Sequence, residues 1–190
     1  GRVLVEPQWD EAGGFSGEDN PTIIPFRLGT KWGYADAMGQ IIVRPRFDYA
    51  RSHVACGLAR VRIDNLWGYV DTQGEIVIEP AWPDAGAFYG KGGTARAAVK
   101  NSKGKWGFID EQGELAIPTR YDEIEAAVGY SGPFEKGPAL VKQGKLWGLV
   151  DSTGKELIPC QWEYLAHAGN GRLAVGKGGP QGWRFGIADS

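Results

Sequence analysis

Residues 31–36 read Lys-Trp-Gly-Tyr-Ala-Asp, and the string returns as Leu66–Asp71, Lys105–Asp110 and Leu146–Asp151. A degenerate fifth copy is Phe185-Gly186-Ile187-Ala188-Asp189. The leading aromatics, Trp32, Trp67, Trp106, Trp147 and Phe185, follow one another at 35, 39, 41 and 38 residues. An Asp stands four residues after each, and in the first four copies a Gly (Gly39, Gly74, Gly113, Gly154) follows that Asp by three. Eight residues beyond each such Gly is a second aromatic, Phe47, Trp82, Tyr121 or Trp162; Gly1 and Trp9 keep the same spacing. Self-similarity at a period of this size marks a repeat architecture.

Each unit reads as short strands and tight turns. In Trp-Gly-Tyr-Val-Asp the period of two sends Trp67 and Tyr69 to one face and Val70 to the other. Asp-x-x-Gly is turn chemistry: the carboxylate accepts from backbone amides, and Gly supplies a positive φ. The β-branched run Ile76-Val77-Ile78-Glu79-Pro80 is a strand that stops at proline. Another short strand follows Trp82, and a further one, such as Leu58–Ile63, precedes each Trp-Gly. The sum is three to four strands per unit with no helical period, an all-β fold.

Composition agrees. The 190 residues carry 21 Lys+Arg against 23 Asp+Glu and are 42% hydrophobic, which excludes disorder and a generally basic, nucleic-acid-coating surface. Residues 1–190 read as a single domain without a membrane-spanning apolar run. Thirty Gly fit a chain of many tight turns. Cys56 and Cys160 have no metal-site or disulfide-scaffold spacing and read as small buried apolar residues. A chain opening on Gly1 rather than Met reads as a processed or trimmed product.

The expected architecture is a closed five-bladed β-propeller-like ring, with the N-terminal strand Gly1–Pro7 completing the last blade, because closure removes exposed sheet edges. The alternative is an open β-solenoid array.

The unit resembles the WG β-repeat, also called the KWG repeat, in five copies across essentially the whole chain. It departs at Phe185, which replaces Trp, and at Pro118 and Pro159, which are displaced by one position. The resemblance implies a bacterial protein with a binding or scaffolding role and supplies no catalytic residues; it does not fix the compartment.

The chemistry-bearing residues argue the same way. Asp36, Asp71, Asp110, Asp151 and Asp189 occur once per unit at turn starts, a capping role rather than a metal or acid–base cluster. The Trp set and the second aromatic set read as core packing. His53 and His167 stand alone, and Gly90–Thr94 and Gly176–Gly179 lack phosphate-loop spacing and read as hairpin tips. No enzyme activity, cofactor or metal is expected.

What departs from the repeat points to binding. Arg44 and Arg46, and likewise Arg60 and Arg62, share a strand face and come from one unit, so a single sheet could present them to an acidic surface on another protein. The irregular segments Gly13–Asn20, Tyr89–Thr94 and Val128–Lys136 offer Tyr89, Tyr130 and Phe134 as aromatic anchors. The expected function is a monomeric, non-catalytic protein–protein interaction module, such as a scaffold or a toxin-neutralising partner. A carbohydrate or cell-wall binding module is the alternative.

Overall fold

Nineteen strands, and no helix, form among the residues described by a computed structural model, namely 6–13, 23–52, 56–90, 93–125, 134, 137–169 and 171–189. Strands β1 (Glu11–Ala12), β2 (Ile23–Leu28), β3 (Lys31–Asp36) and β4 (Ile41–Phe47) make the first sheet in chain order. The second holds β5 (Tyr49–Ala50), β6 (Ala59–Ile63), β7 (Leu66–Val70) and β8 (Ile76–Trp82). The third holds β9 (Asp84–Tyr89), β10 (Arg96–Lys100), β11 (Trp106–Ile109) and β12 (Leu115–Tyr121). In the fourth are β13 (Glu123–Glu125), β14 (Ala139–Gln143), β15 (Leu146–Val150) and β16 (Glu156–Trp162). The fifth has three strands, β17 (Tyr164–Gly169), β18 (Arg172–Gly179) and β19 (Gly182–Asp189). All pairing is antiparallel, and a single residue (Asp48, Pro83, Asp122 or Glu163) carries the chain from one sheet into the next.

The turns form as their chemistry dictates. The Oδ1 atoms of Asp36, Asp71, Asp110 and Asp151 each accept from the amides two and four residues on, at 2.8–3.0 Å. Gly39, Gly74, Gly113 and Gly154 close these turns with φ of 80–88°. Between β6 and β7 the pair Asp64-Asn65 takes positive φ at both positions, the arrangement of a type I′ hairpin turn.

Both faces of each inner sheet are buried, each against a different neighbour. Val70 packs with Tyr34, Val43 and Phe47 of the first sheet, whereas Tyr69 packs with Ala85, Val99 and Ile109 of the third. Two further cores repeat the pattern between sheets three and four and between four and five. The innermost side chains are Tyr34, Tyr69, Phe108 and Leu149, two residues after each Trp and 0% exposed. Of the Trp residues in that set, Trp32 is a buried member of the first core, while Trp67, Trp106 and Trp147 are half-buried and pack against the other three.

Register explains the Trp-Gly pair. Trp106 faces Tyr121 while Phe108 faces Ile117, so two residues of β11 span four of β12, a bulge. The bulge lays backbone across Gly107, where a Cβ would lie 2.5 Å from the Ile117 carbonyl oxygen. Gly33, Gly68 and Gly148 are overlaid in the same way, with that oxygen at 2.3–2.7 Å. Only glycine fits beneath, and all four bulges carry a proline (Pro45, Pro80, Pro118 and Pro159), which needs no amide partner there.

Among the described residues, no strand pairs with the outer side of β19 in the fifth sheet. Of Gly1–Pro7, expected to fill that place, residues 1–5 lie outside the described residues, and Glu6 and Pro7 are exposed and belong to no strand. The cysteines are unbonded and half-buried rather than fully buried, and burial pushes both thiols up.

Candidate functional site

The four arginines do not share one sheet. Arg44 and Arg46 lie on β4 of the first sheet, and Arg60 and Arg62 lie on β6 of the second. Three of the four serve the fold. Arg46 donates from Nη2 to the Gly74 carbonyl in the next sheet's turn at 2.7 Å. Arg60 donates from Nη1 to the Ala85 carbonyl of the third sheet and lies 5.1 Å over the Trp67 ring. Arg62 faces Trp67 across the β6–β7 register with its guanidinium 5.7 Å from the ring.

This last pairing belongs to the repeat. Lys100 faces Trp106 and Lys142 faces Trp147, each ammonium within 5.3 Å of the ring, and Arg27 occupies the same register position opposite Trp32. Cations cap the half-buried Trp faces, which therefore are not open platforms. Arg44 alone of the four is exposed without a polar partner among the described residues.

Of the aromatic anchors, Tyr89 ends β9 half-buried, and Tyr130 lies outside the described residues. Phe134 packs edge-on against Phe108 at 4.9 Å, which makes it part of the third core. His167 is half-buried on β17, and its Nε2 has no hydrogen-bond partner among the described residues; His53 lies outside the described residues. Gly176–Gly179 is strand β18 leading to the Pro180-Gln181 tip rather than a tip itself.

Two features of the surface remain. The first is a cleft of about 450 Å³ between the second and third sheets, lined by Arg51, Ser52, Leu58, Arg60, Tyr69 and Phe88. At its floor Tyr69 donates its hydroxyl to the Gly86 carbonyl at 2.8 Å, and burial holds the phenol well above its ordinary range.

The second is β19, eight residues long with its outer side unpaired among the described residues. Trp183, Phe185 and Ile187 alternate along it and are 55%, 65% and 71% exposed. Trp183 stacks on Phe185 at 5.9 Å, and Tyr164 meets Phe185 edge-on at 5.6 Å, so the exposed rings form a continuous stripe. Phe185 covers Gly176, which holds the position of the capping cations in other units. Sequence reading missed this surface, although the three-fold alternation Trp183-x-Phe185-x-Ile187 was its signal.

The family model for the WG containing repeat matches the chain at residues 32–67, 67–106, 106–147 and 147–179. Among curated proteins, none matches the chain.

Proposed function

The chain belongs to the WG-repeat family, and on that premise we propose that it is a non-catalytic protein–protein interaction module whose contact surface is the open edge of the fifth sheet. The observation that carries this reading is the exposed Trp183–Phe185–Ile187 stripe on a strand whose outer side is unpaired among the described residues. An edge strand presents a row of free amides and carbonyls that templates a further strand, and solvent-facing edges are ordinarily blunted by charge or proline. β19 instead carries three large apolar side chains, with Arg184 and the terminal Asp189 as its charges, and its proline lies in the turn before it.

The exposure of Phe185 and Ile187 also supports the open array over the five-bladed ring, in which Gly1–Pro7 would cover this edge within the chain. A carbohydrate-binding repeat would offer one equivalent free aromatic face per unit, and the cation-capped Trp faces do not favour it.

The test is capture of protein partners from a lysate of the source organism on the immobilised chain, compared with Ile187→Lys. A partner held by the wild type and lost with the variant supports the reading. Equal retention by both moves the contact to another face.

A further inference from the structure

The fifth sheet keeps a seat for a strand that none of its described residues fills. In the other four sheets the glycine after the leading aromatic lies under the bulge of the outer strand. Gly186 holds that position in β19, yet among the described residues a Cβ there would meet only Val175 Cγ2, at 3.5 Å. Ile187 corresponds to Tyr34, Tyr69, Phe108 and Leu149, which are 0% exposed, but it is 71% exposed. Bulge seat and bare core position call for the same occupant.

Register specifies that occupant. Trp67 faces Trp82, Tyr69 faces Ile78 and Val70 faces Ile76, and the other sheets repeat the pattern. The missing strand therefore reads apolar-x-apolar-x-x-x-aromatic, with a proline in the bulge. Gly1-Arg-Val-Leu-Val-Glu-Pro-Gln-Trp9 has this sequence, and it parallels Gly74–Trp82 position by position.

The described end of that segment is already docked as such a strand's end would be. Trp9 stacks on Phe26 of the first sheet at 4.7 Å. Asp10 then accepts from the Gly29 amide at 2.7 Å and donates its own amide to the Arg27 carbonyl at 3.0 Å. Asp48 makes the matching contacts with Asp64 and Arg62 of the second sheet, and Asp122 with Gly144 and Lys142 of the fourth. Trp9-Asp10 therefore sits on the first sheet as Phe47-Asp48 sits on the second, in the position where a preceding sheet passes its outer strand onward.

Resting on the reading of β19 as a contact edge, we propose that β19 accepts the strand Val3–Pro7 of a second copy of this chain, so that copies join head to tail. The joint between copies then repeats the joints inside each copy: Val3 faces Ala188, Val5 faces Ile187, Trp9 faces Phe185, and the bulge at Pro7 lies over Gly186. Such a contact is heterologous and propagates into linear arrays unless it closes on itself.

The experiment is sedimentation equilibrium of the whole chain from dilute to concentrated solution, with Ile187→Lys, Gly186→Ala and Val5→Lys. The expected result is a wild-type mass that rises above 20.6 kDa with concentration, while each variant stays at 20.6 kDa. An equimolar mixture of Ile187→Lys and Val5→Lys should form a dimer of twice that mass and stop there, since one retains an intact strand and the other an intact edge. A wild type that stays at 20.6 kDa at every concentration overturns the second-copy assignment, as does equal assembly of Gly186→Ala.

A labelled peptide with the sequence of residues 74–82 separates this proposal from the broader one. If the chain stays monomeric but binds the peptide, and Ile187→Lys does not, the edge accepts a strand from another source and only the second-copy assignment falls. If the chain neither assembles nor binds the peptide, both readings fall.

Discussion

Gly107→Ala is the substitution that most directly probes the bulge joining the third and fourth strands of each sheet. The added Cβ would sit 2.5 Å from the Ile117 oxygen, 2.7 Å from the Thr119 nitrogen and 2.8 Å from the Pro118 carbonyl carbon. All three are backbone atoms, so no side chain can swing aside; the bulge has to lift and drag the Trp106–Tyr121 and Phe108–Ile117 pairings with it. Overpacking by one methyl costs roughly 1–3 kcal/mol, and a purely backbone clash belongs at about 3 kcal/mol. For a chain of this length each kcal/mol moves the melting temperature by roughly 2–4 °C, so the expected fall is about 6–12 °C. The control is Gly86→Ala, where the nearest atoms lie at 3.6–3.8 Å and φ is ordinary. There the lost backbone freedom of the unfolded chain should leave stability unchanged or raise it by about 0.4–1 kcal/mol. Urea and thermal denaturation read both. If Gly107→Ala falls within about 0.5 kcal/mol of the wild type, or Gly86→Ala is equally damaging, the bulge does not explain the Trp-Gly pair.

Three further outcomes follow from the same packing. Phe108→Ala, truncating a 0% exposed side chain, should cost about 3–5 kcal/mol in denaturation and more than Trp106→Ala, whose ring is half-buried under Lys100. Arg60→Ala should destabilise by about 1–3 kcal/mol, because the Ala85 carbonyl loses its donor and Trp67 one of its two cations, while Arg44→Ala stays within about 0.5 kcal/mol. Asp48 is held below the usual carboxylate range by the Lys31 ammonium at 2.6 Å and the Asp64 amide at 2.8 Å. Its contribution is complete above the unfolded carboxylate pKa and is lost as pH falls through the lowered folded value. Carboxyl chemical shifts should place that midpoint below about 3.9 and move it upward in Lys31→Met.

The architecture was legible because its determinants are local. Asp71-x-x-Gly74 fixes a turn by hydrogen bonds within five residues, and the alternation of Tyr69 and Val70 predicts their burial on opposite faces, as found. What escaped depends on which residue faces which across strands. Arg62 looks like one of a local run of arginines until register pairs it with Trp67 and aligns it with Lys100 and Lys142. Arg46 and Arg60 read as charge offered to an acidic partner because their carbonyl partners, Gly74 and Ala85, lie 28 and 25 residues away on the next sheet. The glycine of the Trp-Gly pair similarly has no local rationale, since the atoms that exclude a side chain come from the bulged strand opposite. In the stripe on β19, Ile187 holds the position that is core in the other four units, where Tyr34, Tyr69, Phe108 and Leu149 are 0% exposed, and no outer strand covers it among the described residues.

Amide hydrogen exchange along β19, at a dilution where sedimentation gives the mass of a single chain, tests the open edge most directly. An inner strand such as β11 donates to partners on both sides, so its amides should be protected throughout. In β19 the amides paired with β18 should be protected and the alternate, outward-facing ones should exchange quickly between Gly182 and Asp189. Unbroken protection along β19 in the single chain, matching β11, would mean that the edge is covered from within. That result would contradict the open array and the contact surface assigned to it.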